Sequence, residues 1–334
     1  MSNIGILGAG TWGTALGVLL HNAGHQVIIW SALPEEISSL SQSRRHPNLP
    51  GMVIPSAVRF TCSIQDAVQG MDAVVFAVPS PFVRQTARKA APFIADHQII
   101  VDVAKGIEAE TLFTMTQIIE DELQNPRVKT VALSGPTHAE EVALELPTTI
   151  VSACEDMDAA KRVQDLFTTD TLRVYTNEDK KGVELCGAMK NILALAAGVS
   201  PGLGYGDNAK AALITRGIVE ITRLGMAMGC QVSTFAGLAG IGDLIVTATS
   251  RHSRNNRCGM LLGQGVKPEE AIRQVGMVVE GVHALPAAMR LASQYQVDMP
   301  IVEAVNAVVN EGADPKSTVM ALMHRDKKTE AILP

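Results

Sequence analysis

The chain has 334 residues, 47% of them hydrophobic and 19% charged, a balance that supports about two globular domains and excludes intrinsic disorder. Its formal net charge of −6 supplies no global basic field, which argues against nucleic acid as a partner. Five scattered cysteines (62, 154, 186, 230 and 258) form no C-x-x-C pair and read as buried, reduced thiols of a cytoplasmic protein. No export signal is visible after Met1, and no apolar run is expected to span a membrane.

Short apolar runs open the chain and alternate with amphipathic stretches. Ile4–Leu7, Val27–Trp30, Ala73–Val78, Ile99–Val103 and Val128–Leu133 have the composition of buried strands. Trp12–Ala23, Phe82–Ile94 and Glu110–Leu123 lie between them with helical spacing. Alternation of this kind predicts βαβ units and a mostly parallel sheet, a Rossmann-type α/β domain over residues 1–178. Thr148–Ala153 and Arg173–Tyr175 extend it, with a helix near Asp156–Phe167. Strand patterns then stop. Lys180–Ala197, Ala209–Gly229, Pro268–Gln274, Val282–Gln294 and Ile301–Asn310 predict an all-helical domain over 179–334. Breaks are expected at Pro201–Gly204 and Ala239–Gly242. Arg325-Asp326-Lys327-Lys328 reads as a solvated tail.

Gly8-Ala9-Gly10-Thr11-Trp12-Gly13 follows the first strand and opens the first helix. In that context Gly8 permits the tight turn, Gly10 lets backbone approach a pyrophosphate, and Gly13 lets helix and strand pack closely. A dinucleotide is therefore expected, nicotinamide rather than flavin. The acid that usually holds the adenine ribose is missing directly after Trp30, where Ser31, Ala32 and Leu33 follow; Glu35 and Glu36 lie just beyond. Its absence leaves NADP permitted, with Arg44 and Arg45 as candidates to meet a 2′-phosphate. NADPH is expected to be accepted and NADH use to remain open.

Two lysines carry the chemical reading. Lys190 shares a helix face with Val183, Cys186, Gly187, Ala194 and Ala197, all small or apolar. Desolvation there lowers a lysine from about 10.4 towards neutrality, where it can exchange protons with an alcohol or ketone. The bland alternative is a lysine snorkelling from a packed helix. Lys105 closes Val103-Ala104-Lys105 at the carboxyl end of a strand, where doubly wound sheets bind ligands. No cysteine and histidine spacing suits a metal.

With these pieces in order, the whole chain resembles the NAD(P)-dependent glycerol-3-phosphate dehydrogenases of bacteria. The resemblance rests on Gly8–Gly13 with Trp12–Ala15, Ala104–Gly106, Ser134–Thr137, Gly187–Gly198, Gly202–Asn208, Leu238–Leu244 and Ser253–Asn255. It implies reversible hydride transfer between NAD(P)H and dihydroxyacetone phosphate, supplying glycerol 3-phosphate for glycerophospholipid synthesis. It implies that Lys190 is the proton donor and acceptor and that Lys105 touches substrate and cofactor. Substrate binding falls by the same resemblance to Gly135, Thr137, Asp243, Ser253, Arg254 and Asn255. Cofactor contacts fall to Thr11, Trp12, Ala139, Val278 and Glu280, with Arg254 touching both ligands. The site is expected in a cleft between the domains, and a homodimer is allowed. Two departures stand out: the family's arginine near Ser31–Ala32 is missing, and Pro201 replaces an acid. The competing readings are a 3-hydroxyacid dehydrogenase of similar plan, which would need carboxylate donors, and a non-enzymatic nicotinamide sensor, which would not need Lys190.

Overall fold

The computed structural model describes residues 1–250, 253–327 and 329–330. Lys328, the last residue of the expected tail, lies outside them. Contacts divide the chain into two units: residues 1–105 with 113–180, and residues 106–112 with 181–334.

The first unit is built on eight strands: β1 (Asn3–Leu7), β2 (Gln26–Trp30), β3 (Arg59–Thr61), β4 (Ala73–Phe76), β5 (Ile99–Asp102), β6 (Lys129–Ser134), β7 (Thr148–Ala153) and β8 (Leu172–Asn177). Its helices are α1 (Thr11–Asn22), α2 (Pro34–Ser43), α3 (Ile64–Val68), α4 (Val83–Ala90), α5 (Met115–Leu123), α6 (Ala139–Ala143) and α7 (Met157–Phe167). The strands form one sheet in the order β3-β2-β1-β4-β5-β6-β7-β8. Every pairing is parallel except β6 with β7, where Ala132 faces Ala153. The central strands are apolar without alternation because both sheet faces are covered; Ala73, Val74, Val75 and Phe76 are all fully buried. At the edge, β8 alternates instead: Leu172 and Val174 point inward, while Arg173 and Tyr175 point out and stack. Strand order reverses beside β1, with β2 on one side and β4 on the other. That switch point is where doubly wound sheets open a crevice for ligands.

The second unit is helical: α8 (Lys180–Gly202, whose first residue belongs to the first unit), α9 (Asp207–Ala227), α10 (Val232–Phe235), α11 (Asp243–Thr249), α12 (Arg254–Gly263), α13 (Pro268–Val275), α14 (Glu280–Tyr295), α15 (Pro300–Asn310) and α16 (Pro315–Met323). One of the two expected breaks holds, since α8 ends at Gly202 and α9 begins at Asp207, and the other is helical. Pro201 sits inside the last turn of α8, near a helix end where one lost backbone donor is tolerated, and Leu238–Gly242 is a π-helical turn leading into α11. Two segments, Lys180–Gly202 and Val232–Thr249, reach the length and apolarity of a membrane span by composition alone. The apolar window of the first is wholly buried within the protein, as a core helix requires, and the second is divided by the π turn. Cys62 is exposed, unlike the other four thiols, and all five cysteines are free. Arg325 pairs with Asp298 at 2.8 Å.

Glycines bring α8 and α12 together. A Cβ on Gly198 would lie 2.0 Å from the Asn256 carbonyl oxygen, and one on Gly259 would lie 1.9 Å from that of Leu195. Backbone meets backbone here, so the small-residue face of α8 is a helix-packing surface.

A buried acid makes this unit sensitive to pH. Glu220 on α9 accepts from the backbone N–H of Ile301, at the start of α15, at 3.0 Å. Burial pushes its carboxyl from 4.5 up to about 7, against the lowering effect of the N–H donors at Ile301 and Val302. The folded state thus binds this proton more tightly than the unfolded chain. The stabilisation is fully present below about pH 4.5 and is lost as pH rises to about 7, a swing of roughly 3 kcal/mol. Glu220→Gln keeps an acceptor for Ile301 without the charge. Melting curves from pH 4.5 to 8.5 should show the variant gaining on the parent as pH rises; a constant difference would contradict the linkage.

Candidate active site

The glycine turn is shaped as its sequence requires. Gly8 has φ +131, donates its N–H to the Trp30 carbonyl at 2.9 Å, and packs so closely that a Cβ would lie 2.6 Å from the Ala77 oxygen. A Cβ on Gly13 would lie 2.1 Å from the Gly8 oxygen, which fixes α1 against the turn. Gly10 differs: nothing lies within 4 Å of its added Cβ. It caps α1 with no side-chain hydrogen bond, and the first turn of that helix carries no acid. Uncapped N–H donors, the helix dipole and open space over Gly10 together fit a pyrophosphate. Thr14 stiffens the turn through its Oγ1, which donates to the Ala9 carbonyl at 2.8 Å. Thr11 and Trp12 are half-buried; Asn48 donates to Thr11 Oγ1 at 3.4 Å.

Three more expected site residues of this unit meet beyond the neighbouring ends of β5 and β6. Lys105 lies three residues past β5, not within it. Its Nζ donates to the Gly135 carbonyl at 3.0 Å and to Thr137 Oγ1 at 3.2 Å. Gly135 leaves β6 with φ +148, a conformation that L side chains rarely adopt, and this turn presents its carbonyl to the lysine. Ala139, the first residue of α6, is buried.

The second unit holds the other lysine. Lys190 Nζ lies 2.5 Å from Asp243 Oδ1 and donates to Thr247 Oγ1 at 2.6 Å. Thr247 in turn donates to the Asp243 backbone carbonyl, so its oxygen is left to accept from the lysine. Lys190 is 7% exposed and Asp243 is fully buried. The expected apolar face of α8 is therefore incomplete as a description. Burial opposes the ammonium form, but a carboxylate in contact favours it. The carboxylate and the hydroxyl fix the position of the lysine nitrogen.

Asn191, next along α8, is tied into the same frame. Asn255 Nδ2 donates to Asn191 Oδ1 at 3.0 Å, and Asn255 Oδ1 accepts from the Gly281 N–H at 2.9 Å. One amide thus joins α8, α12 and the start of α14, where Val278 and Glu280 lie. Ser253 caps α12 by accepting from the Asn256 N–H at 3.2 Å. Arg254 is the first residue of that helix and is half-buried.

Comparison with known proteins identifies the lineage. A family model described as the NAD-dependent glycerol-3-phosphate dehydrogenase N-terminus matches residues 3–160, and one described as the C-terminus of the same family matches residues 179–320. The chain belongs to this family. It is 61% identical to glycerol-3-phosphate dehydrogenase [NAD(P)+] 2 of Lactobacillus delbrueckii subsp. bulgaricus, over 99% of either chain. It is 51% identical to glycerol-3-phosphate dehydrogenase [NAD(P)+] of Agathobacter rectalis, over 99% of this chain and 98% of that one. Among solved structures, glycerol-3-phosphate dehydrogenase from Coxiella burnetii superposes with a TM-score of 0.93 at 35% identity, covering 97% of this chain and 99% of that one.

Within this dehydrogenase frame, one of the two candidate arginines is committed elsewhere and three residues come to light. Arg44 is the committed one: its Nη1 donates to the carbonyls of Pro55 and Val58, at 3.3 and 2.7 Å, and the guanidinium lies over the Phe60 ring. It staples the loop after α2. Arg45 is exposed. Thr247 was signalled only by its spacing, four residues after Asp243 on one helix face, and Asn191 by its place beside Lys190. Glu36 is the third. Although it lies in α2, its Oε2 accepts from Ser31 Oγ at 2.5 Å, which returns a carboxylate to the end of β2.

Proposed function

We propose that the chain interconverts dihydroxyacetone phosphate and sn-glycerol 3-phosphate at the expense of NAD(P)H and NAD(P)⁺. Residues 1–178 serve the dinucleotide and residues 179–334 the substrate. The observation that carries the reading is the buried Lys190–Asp243–Thr247 cluster in a chain of this family. Bound reduced nicotinamide supplies hydride to the ketone carbon. Lys190, as ammonium, gives its proton to the oxygen that becomes the alcohol; in the oxidative direction the neutral amine takes it back. Asp243 and Thr247 hold the nitrogen in place. Lys105 adds positive charge beside the developing alkoxide, with Gly135 and Thr137 fixing its reach. Gly8, Gly10, Thr11, Trp12, Gly13, Ala139, Val278 and Glu280 serve the cofactor. Ser253, Arg254 and Asn255 serve the substrate phosphate, for which a guanidinium fork is suited.

The five free thiols suit a cytoplasmic enzyme supplying glycerol 3-phosphate for glycerophospholipid synthesis, and a homodimer is the assembly this reading allows. The direct test is loss of NADH and NADPH absorbance on adding dihydroxyacetone phosphate to the purified chain. Turnover with that ketone and none with 3-keto acids is expected. Turnover with the acids alone would replace the reading with a hydroxyacid dehydrogenase, and cofactor binding with no turnover on either would leave a nicotinamide sensor.

A further inference from the structure

The end of β2 carries a polar arrangement that the reaction chemistry does not use. Trp30, the last residue of β2, accepts from the N–H of Gly8, the first glycine of the phosphate turn. Ser31 follows the strand directly and is buried. Ser31 Oγ accepts from the Leu33 N–H at 3.1 Å and donates to Glu36 Oε2 at 2.5 Å. Among the described residues Glu36 Oε1 has no hydrogen-bond partner, so one oxygen of an oriented carboxylate is left to accept. The start of α2 would otherwise favour an anion, but its first turn carries Glu35 and Glu36. Of the neighbouring basic groups, Arg44 is directed at the carbonyls of Pro55 and Val58, Arg45 is exposed, and burial holds His46 below its ordinary range despite the pull of Glu36.

We infer that Ser31 and Glu36 together read the adenosine ribose and make the chain prefer NAD(H) to NADP(H). The inference rests on the reading of the chain as a nicotinamide-dependent dehydrogenase. In Rossmann-type domains the carboxylate near the end of the second strand accepts from the ribose 2′-hydroxyl. Here the acid is five residues further along the chain than the strand end, and the serine brings it back. A ribose offers two hydroxyl donors to that carboxylate. A 2′-phosphate offers only acceptor oxygens and a charge near −2, so the same carboxylate repels it. The missing acid after Trp30 is thus supplied from the helix, and NADH is preferred while NADPH is accepted more weakly.

Equilibrium titration of NADH and NADPH by nucleotide fluorescence tests this without turnover. The parent chain should bind NADH roughly tenfold or more tightly than NADPH, since like charges in contact are strongly disfavoured. Glu36→Gln should strengthen NADPH binding and narrow the ratio by about tenfold, with a smaller change for NADH. Ser31→Ala, which frees the carboxylate, should narrow the ratio in part. Added salt should narrow it for the parent and leave Glu36→Gln nearly unmoved. Equal affinities in the parent, or a ratio that Glu36→Gln leaves intact, would overturn the inference alone. Binding of neither nucleotide by a folded chain would overturn the dehydrogenase reading and the inference with it.

Discussion

Lys190→Ala should lower kcat by about 10²–10⁴-fold, the share general acid–base catalysis commonly supplies. The reason is positional as well as chemical. Nζ is held between Asp243 Oδ1 and Thr247 Oγ1 in a buried setting. Removing the amine also leaves Asp243 buried without its cation, which costs about 3–5 kcal/mol in comparable pairs. A loss of turnover by Lys190→Ala alone therefore mixes chemistry with folding. Lys190→Met combined with Asp243→Asn removes both charges at similar volume and should restore stability without restoring turnover. Lys190→Arg keeps the charge but cannot surrender its proton near neutrality, so it too should be slow. NADH binding should change little in all three, because the glycine turn belongs to the other unit. Near-parental turnover in the neutral double variant, across pH, would remove Lys190 from the mechanism.

The parts of this design that were legible in the sequence are those whose cause is local. Gly8 and Gly13 announce themselves because a turn and a helix contact each need a missing Cβ within six residues. The central strands announce themselves because burial on both faces leaves no alternation. Where the cause is distant, the sequence is silent. Arg59–Thr61 is a strand of three residues at a sheet edge, too short to show a period. The Leu238–Gly242 turn reads as a break because glycine usually ends helices; here Gly240 lets the backbone pass the Phe235 carbonyl, where a Cβ would lie 2.1 Å from the oxygen. Lys190 looked desolvated among small residues, and its partner lay 53 residues away. The tie of Arg44 to the carbonyls of Pro55 and Val58 is likewise a contact across 11 and 14 residues that no local pattern announces.

Arg254 decides between a phosphate substrate and a carboxylate one, and Arg254→Ala should reduce kcat/KM for dihydroxyacetone phosphate roughly 10–150-fold. That range is the cost of removing a hydrogen bond to a charged group, about 1.5–3 kcal/mol, converted to a rate ratio. The residue opens α12, whose cap is held by Ser253, while Asn255 is committed to Asn191 and Gly281. Both Asn255 amide groups are therefore engaged in holding three helices, and Arg254 is the one charged side chain of the Ser253–Asn255 segment. Arg254→Lys keeps the charge but loses the planar fork, so it should recover only part of the loss. The effect must follow the phosphate. Dihydroxyacetone, which lacks it, should be a poor substrate of the parent and should suffer less from Arg254→Ala. Saturating nicotinamide keeps any contact of Arg254 with the cofactor from entering the comparison. Asn255→Ala should behave differently: with the Asn191 and Gly281 groups left unpaired, it should lower thermal stability and slow turnover on both ketones alike. An equal fractional loss for phosphorylated and unphosphorylated substrates in Arg254→Ala would show that the guanidinium does not bind the phosphate, and the substrate assignment would then have to rest on other residues.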